Sequence, residues 1–336
     1  LRKLDIGGGL EAGMGIVALA IILDRTSQAI AKRAAQGKHR EPGQWPIWKV
    51  VGLWLVIATG IAYIFEPAQA WPKDYVISTA VFWNDLVTWI NIEWFDVLDA
   101  FRTFALLEVM RPFRDALAAA PWSMMIGLLA IGAYALGGAR LAIYCVALAL
   151  AIVMTGYWGP AMNSLYLILI SVTLAVIMGF PVGFWLASRP QLQTAANLTL
   201  DTLQTLPTLV YLLPAVMLFR IGDVSAVIAV TLYATAPAIR YAMIGMSQVP
   251  VARLEAAQIS GCTRWQTLRW IRFPAALPTL LVGVNQTIMM AFSMLIIAAL
   301  VGTKDLGQEI LIALNRSLVG QGIVAGLCVA CLALIA

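Results

Sequence analysis

A polar, arginine-bearing stretch at residues 253–274 lies between two strongly apolar runs and carries residue types suited to a specific interaction. Ala256 and Ala257 are small, helix-forming residues that let another protein's surface approach closely. Glu255 can accept hydrogen bonds from a partner's basic groups, and Gly261 is expected to separate two short helices. The stretch therefore predicts a docking loop for another protein. The alternative is a cytoplasmic loop whose arginines only set the membrane topology.

A second group of polar residues lies inside apolar runs, where side chains have no water to bind. Asn285, Met289 and Ser293 follow a four-residue spacing that places them on one helical face. This mildly polar stripe is suited to line a pathway for a small solute. Thr231 and Thr235 form a weaker case in the preceding apolar run. Ordinary hydrogen bonding between helices accounts for the same residues and stays open as the alternative.

The composition excludes an ordinary soluble domain. Hydrophobic residues make up 61% and charged residues 12% of the 336 residues, and the mean hydropathy is +0.86. The sequence contains no glycine-rich phosphate loop and no nucleophile elbow, and its one histidine, His39, lies in a basic stretch. Cys328 and Cys331 sit in an apolar run, which favours packing over metal binding. We expect an all-α polytopic membrane protein with no cofactor or catalytic group of its own.

Apolar runs of the length that a bilayer requires, about 20 residues, recur along the chain. The predicted spans are 6–23, 47–65, 121–137, 139–156, 163–187, 202–219, 224–244, 277–301 and 318–336. Basic residues concentrate in alternate connections between these spans: Arg25, Lys32, Arg33, Lys38 and Arg40, then Arg140, Arg189 and the 253–274 loop. The positive-inside rule places these connections in the cytoplasm. The opposite connections, 66–120, 156–162, 220–223 and 302–317, are then expected outside.

The long external connection, residues 66–120, has an amphipathic pattern. Apolar residues recur at helical spacing between Trp83 and Phe101, with Trp94 among them, and polar residues fill the other face. Such a segment is expected to lie along the membrane surface, with its tryptophans as interfacial anchors. The alternative is an aromatic cage for a quaternary ammonium group, because tryptophan faces attract such cations.

Two charged residues, Asp201 and Arg240, lie close to the predicted span ends and are interpreted as marking those ends. No carboxylate is then expected at the centre of a span. An ion-coupled secondary transporter usually needs ionisable groups or broken helices near the midplane of the membrane, so this pattern argues against that class.

The docking loop resembles the EAA loop of ABC importer permeases. The resemblance rests on Glu255-Ala256-Ala257, on Gly261, and on the later segment Ile271-Arg272-Phe273-Pro274, where Pro274 is expected to begin a new helix. Three further segments are similar to the permeases for glycine betaine, proline betaine and choline: TLQTLPTLVYLLPAVMLFRIG at 202–222, VNQTIMMAFSMLIIAALVG at 284–302 and DLGQEIL at 305–311. Arg220 departs from the pattern, because an uncharged turn residue is expected there.

This resemblance implies a type I ABC importer transmembrane domain in the bacterial plasma (inner) membrane. It implies three partners: an ATPase subunit that binds ATP, an extracytoplasmic substrate-binding protein, and a second permease domain from another chain or a tandem copy. The residues that it implies for coupling to the ATPase are Glu255, Ala256, Ala257, Gly261, Ile271 and Pro274. A permease for another small solute, an ion-coupled secondary transporter and a membrane-embedded enzyme are the alternatives. The enzyme would need a catalytic constellation that the spans do not offer.

The first residues of the chain repeat the last ones. Aligned without gaps, residues 1–23 match 314–336 at Leu1, Gly7, Gly9, Ala12, Gly13, Leu19, Ala20 and Ile22. We hypothesise a tandem permease, although chance identity between apolar segments is the alternative. Residues 1–40 would then be the last helix and basic linker of a preceding copy. Residues 41–120 would hold a transmembrane helix and the external segment, and 121–336 the permease core with the EAA loop at 250–276.

Overall fold

The computed structural model of the chain describes residues 6–35, 47–64 and 78–336, and these residues form helices and turns without a strand. The helices are α1 Ile6–Ala35, α2 Ile47–Ile64, α3 Ala80–Glu93, α4 Phe95–Phe104, α5 Arg111–Ala119, α6 Trp122–Met154, α7 Trp158–Ala187, α8 Pro190–Thr205, α9 Leu209–Phe219, α10 Asp223–Ser247, α11 Val251–Ile259, α12 Arg264–Thr267, α13 Phe273–Ala298, α14 Leu306–Asn315 and α15 Val319–Ile335. Leu1, Lys38, His39, Arg40 and the first part of the external connection, 66–77, lie outside the described residues.

The chain divides into two compact units, Leu1–Leu86 and Val87–Ala336, and the division falls inside α3. The predicted boundaries at residues 40 and 120 stay a prediction. In the first unit, Glu11 of α1 accepts hydrogen bonds from the Ser78 hydroxyl and the Thr79 N–H, both at 2.9 Å. The second unit contains the docking loop and the solute-pathway candidates.

Five helices among the described residues are long and apolar enough to cross a membrane: Glu11–Ala31, Trp122–Met154, Trp158–Ala187, Asp223–Ser247 and Arg264–Val301. A sixth span results if α8 and α9, which meet at an angle of 85°, count as one. The all-α membrane fold is therefore confirmed. The predicted spans 163–187, 224–244, 277–301 and 318–336 coincide with helices, whereas the predicted span 202–219 crosses the break between α8 and α9.

Helix α6 contains the boundary predicted between the spans 121–137 and 139–156. Its two segments meet at Gly138, which has φ 75° and ψ −169°. A positive φ strains residues that carry a Cβ, so glycine is suited to this position. The structure thus has two helical segments separated by one non-helical residue.

Helix α10 lies between α7 and α13, and small residues bring the three backbones close together. A Cβ on Gly179 would lie 2.7 Å from the Ala238 Cβ, and one on Gly183 would lie 2.5 Å from the Ala242 Cβ. On the other side of α10, a Cβ on Gly283 would lie 2.6 Å from the Tyr241 Cβ. Close backbone approach through small residues is the usual way that helices associate in lipid, where the hydrophobic effect does not drive them together.

In the second unit, the external connection forms short helices joined by a π-helical turn, Ala105–Met110, as the amphipathic pattern predicts. The Asn91 side-chain amide donates to the Met217 carbonyl at 3.2 Å, and the Phe101 and Phe219 rings lie 5.6 Å apart. The Arg220 guanidinium lies 5.4 Å from the centre of the Phe95 ring. The unexpected arginine therefore makes a cation–π contact with the external connection.

The connection from α13 to α14 contains two buried polar side chains, Thr303 and Asp305. The Asn163 amide donates to the Lys304 carbonyl at 2.5 Å, and the Leu306 N–H donates to the Ser164 hydroxyl at 3.0 Å. Asp305 caps α14 by accepting the Gln308 N–H at 2.9 Å, and its side chain is fully buried. Burial raises the pKa of the Asp305 carboxyl to about 6, against the lowering effect of the Gln308 N–H.

Asp305 is expected to make the stability of the protein depend on pH. The carboxyl ionises near its ordinary pKa of 3.8 in the unfolded chain and at about 6 in the folded one, so the free energy of unfolding should fall as pH rises through this window. The expected fall is about 3 kcal/mol. Asp305→Asn keeps an oxygen for the Gln308 N–H without the charge. Its thermal unfolding temperature in detergent should exceed that of the parent at about pH 7 and equal it near pH 4. An equal difference at both pH values would contradict this origin.

Candidate functional site

The 253–274 loop is a helix, a glycine turn and a second helix, as its sequence predicts. Helix α11 ends in a turn at Gly261, whose φ of 73° lies in the left-handed region that glycine adopts without strain. The Cys262 N–H donates to the Ala257 carbonyl at 3.0 Å and closes the turn. The second helix then begins with a capping box, in which Thr263 and Gln266 each accept the other's backbone N–H at 3.3 Å and 2.8 Å.

Pro274 lies at the start of α13, as predicted, but the preceding chain is also helical, so no break separates the second arm of the loop from α13. The helical chain begins at Arg264 and continues into α13 through a π-helical turn, Leu268–Arg272, which contains Ile271. Proline cannot donate to the carbonyl four residues earlier. The π-helical turn immediately before Pro274 carries the chain past this missing bond, so the loop connects to the span without an interruption.

The two arms enclose an open groove of about 550 Å³. Its lining includes Arg253, Ala256, Ala257, Trp270, Ile271 and Pro274. Ala256 and Glu255 are exposed, whereas Ala257 is buried. Of the two alanines, Ala256 therefore offers the surface for a partner, and Ala257 packs within the loop.

Large apolar side chains of the loop are exposed, and the sequence patterns did not identify them; one of them, Trp270, lines the groove. Ile259, Trp265 and Trp270 are exposed by 88%, 67% and 70%. An exposed apolar cluster rimmed by polar residues is typical of a protein interaction surface. In the sequence, the two tryptophans in an otherwise polar loop could have indicated this surface.

The residues predicted to line a solute pathway do not lie together. Asn285, Met289 and Ser293 share one exposed face of α13, as the four-residue spacing predicts, and the Ser293 hydroxyl donates to the Met289 carbonyl at 3.0 Å. Thr231 is buried between α10 and α7, where its hydroxyl donates to the Ser171 carbonyl at 3.4 Å. Thr235 is half-buried and donates to the Thr231 carbonyl at 2.6 Å. The structure therefore leaves the α13 stripe open to a partner or solute and does not add Thr231 to it.

Asp201 and Arg240 form an ion pair, which the sequence analysis did not anticipate. Asp201 Oδ1 lies 2.5 Å from Arg240 Nη2 and joins α8 to α10. Arg240 lies seven residues before the end of α10 at Ser247, which is about 10 Å along the helix. The pair thus joins two helices of the bundle about two turns before α10 ends, and the interpretation of these residues as span ends stays a prediction. Sequence spacing gave no signal, because the partners are 39 residues apart on different helices.

The sequence is similar to transport proteins. The family described as "Binding-protein-dependent transport system inner membrane component" matches residues 179–336. The trimethylamine N-oxide transport system permease protein of Pelagibacter ubique is 38% identical over 353 residues, which cover 100% of this chain and 48% of the relative.

Two further relatives align with part of the chain. The glycine betaine/proline betaine transport system permease protein of Escherichia coli is 35% identical over 68% of this chain and 64% of its own length. The osmoprotectant import permease protein of Salmonella typhimurium is 31% identical over 51% of this chain and 82% of its own length. The chain spans about half the length of the two trimethylamine N-oxide relatives, 48% and 52%. With the membrane helices and the loop described above, these matches establish that the chain belongs to the family of binding-protein-dependent transport system inner membrane components.

Proposed function

We propose that the chain is the transmembrane permease part of an ATP-driven importer for small, fully methylated amines. In this proposal a separate ATPase binds ATP and grips the 253–274 loop, an extracytoplasmic protein delivers the solute, and a second permease domain completes the pathway. The single observation that carries the proposal is the docking loop. It offers an exposed apolar groove and is joined to α10 and α13 without a flexible linker.

Within the loop we assign different tasks to the predicted coupling residues. Glu255 and Ala256, both exposed, would contact the ATPase, and Ala257 and Gly261 would fix the angle between the arms. Ile271 and Pro274 lie in the arm that leads into α13, where they would pass movement to the span. Closure of an ATPase pair would then switch the helices between two arrangements, inward-open and outward-open.

The α13 stripe is the best candidate for the solute pathway. Asn285, Met289 and Ser293 face out of a single copy of the second unit. A second permease domain placed against this face would enclose them, and their amide, thioether and hydroxyl groups would offer a mildly polar surface. Such a surface suits a cargo that carries a methylated cation and needs no single counter-charge.

The names of the relatives favour a trimethylated amine as the solute, and two such solutes must be distinguished. The permeases named for glycine betaine align with about half to two thirds of this chain, while those named for trimethylamine N-oxide align with 99% to 100% of it. Trimethylamine N-oxide and glycine betaine share the trimethylated nitrogen and differ in the oxygen-bearing group. The first is therefore the preferred candidate and the second its rival.

Uptake by cells that lack their own transporters for these solutes tests the proposed cargo. Cells should express the full gene with its ATPase and binding protein and receive labelled trimethylamine N-oxide or glycine betaine. Saturable uptake of one solute, reduced by an excess of the other but not by a neutral tert-butyl analogue, is expected. Uptake that the neutral analogue suppresses equally would contradict recognition of a methylated cation.

A further inference from the structure

The ion pair between α8 and α10 lies on helices of the membrane bundle, although an ion pair can form at less cost outside the membrane. The Asp201 and Arg240 side chains retain 33% and 25% exposure, yet both lie on helices of the membrane bundle. Ionisable residues within membrane helices are costly, and where they occur they mark functional positions more often than in soluble proteins. Pairing removes part of this cost.

Helix α8 has few other specific attachments. Among its described residues only Leu200 is buried. Two residues beyond Asp201, the Leu203 carbonyl accepts a hydrogen bond from the Tyr211 hydroxyl of α9 at 2.5 Å, across the break between the two helices. The ion pair and this hydrogen bond therefore fix the last turns of α8, immediately before the chain bends by 85°.

Helix α10 connects Arg240 directly to the docking loop. Only residues 248–250 separate α10 from α11. The Gln248 N–H donates to the Ile244 carbonyl and the Arg253 N–H to the Pro250 carbonyl, both at 3.0 Å, so this connection is hydrogen-bonded at both ends. A force applied to α11 thus reaches α10 without a flexible segment.

The guanidinium of Arg240 has a donor that the observed arrangement does not use. Its Nε is buried and has no hydrogen-bond partner among the described residues. Arginine carries five N–H donors in a fixed fork, and a buried donor without a partner costs free energy. A second arrangement of α8 against α10 that engages Nε would recover this cost, as expected of an element with two states.

We propose that Asp201 and Arg240 are a positioning pair that transmits movement of the docking loop to the broken α8–α9 span. The inference rests on the proposed ATP-driven import. The pair holds the bend of the span against α10 in one state and reorganises when α10 moves. Neither residue is assigned a contact with the solute or the ATPase.

The ratio of solute transported to ATP hydrolysed, measured for the complete transporter in lipid vesicles, tests the pair. Asp201→Asn is expected to lower uptake about tenfold, in the range typical of coupling between sites, while ATP hydrolysis stays within about twofold. The double variant Asp201→Arg with Arg240→Asp should recover part of the ratio. Asp99→Asn is the matched control, because it breaks a partly exposed pair with Arg102 that lies within α4 and joins no two helices, and it should leave the ratio unchanged.

An unchanged ratio in Asp201→Asn, with ATP-driven uptake intact in the parent, would overturn the inference and leave the proposed function standing. If the parent protein shows no ATP-driven uptake, the result contradicts both the proposed function and this inference. Equal losses of uptake and hydrolysis would indicate a purely structural pair and also overturn the inference. If Asp201→Asn does not fold, Asp201→Glu is the alternative variant, because it retains the charge and displaces the carboxylate. A lowered ratio in this variant supports the inference, and an unchanged ratio contradicts it.

Discussion

Replacement of Gly261 with valine is expected to leave the protein inserted in the membrane and to abolish ATP-driven uptake. Gly261 has φ 73°, and a Cβ at this position would meet no atom within 4 Å, so the effect comes from the backbone alone. A β-branched residue in the left-handed region costs about 1–3 kcal/mol. The turn is expected to relax by changing the angle between α11 and α12, which moves Glu255 and Ala256 away from the positions proposed for contact with an ATPase.

Two variants separate this effect from general strain. Gly261→Asn should retain most of the uptake, because asparagine tolerates positive φ better than other non-glycine residues. Gly156→Val is the matched control: Gly156 has φ 79° and also meets no atom within 4 Å, but it lies in the turn between α6 and α7. It should keep the coupling of uptake to ATP hydrolysis. If the Gly261→Val protein inserts in the membrane and its uptake is undiminished, the result contradicts a coupling role for the turn.

Replacement of Gly183 with leucine is expected to prevent α7 from packing against α10 and to remove most of the folded protein. A Cβ here would lie 2.6 Å from the Ile239 carbonyl oxygen in addition to its contact with Ala242. Backbone atoms of a packed helix cannot move aside locally, so the helices must separate. Overpacking costs about 1–3 kcal/mol for small insertions, and leucine adds more than a small insertion.

The measurement is the yield of monodisperse protein in detergent, together with its thermal unfolding temperature. Gly183→Ala should show a smaller loss than Gly183→Leu. The matched control is Gly132→Leu in α6, where a Cβ meets no atom within 4 Å, and this variant should keep the yield of the parent. Equal yields of Gly183→Leu and Gly132→Leu would show that the contact between α7 and α10 is not the source of stability inferred from the structure.

Local sequence patterns predicted much of this fold. Apolar runs of membrane length located α7, α10, α13 and α15, because a helix in lipid must satisfy its own backbone hydrogen bonds. The turn at Gly261 was also predictable, since a glycine between two helix-forming segments is a local signal.

Features that depend on which helices meet were not predictable in the same way. The Asp201–Arg240 pair requires α8 to lie against α10, and nothing in the spacing of these two residues indicates that. The burial of Ala257 beside an exposed Ala256 depends on how the second arm of the loop folds back. Pro274 was correctly placed at the start of α13, but the π-helical turn that joins this helix to the loop was not predicted.

We propose that a separate ATPase drives this chain through the 253–274 loop. The most direct test is uptake of labelled trimethylamine N-oxide and glycine betaine into vesicles that contain the full-length permease and its binding protein, with and without the ATPase and ATP. We expect uptake only when both the ATPase and ATP are present, and no response to an imposed sodium or proton gradient. Uptake that persists without the ATPase, or that follows an ion gradient, would contradict it.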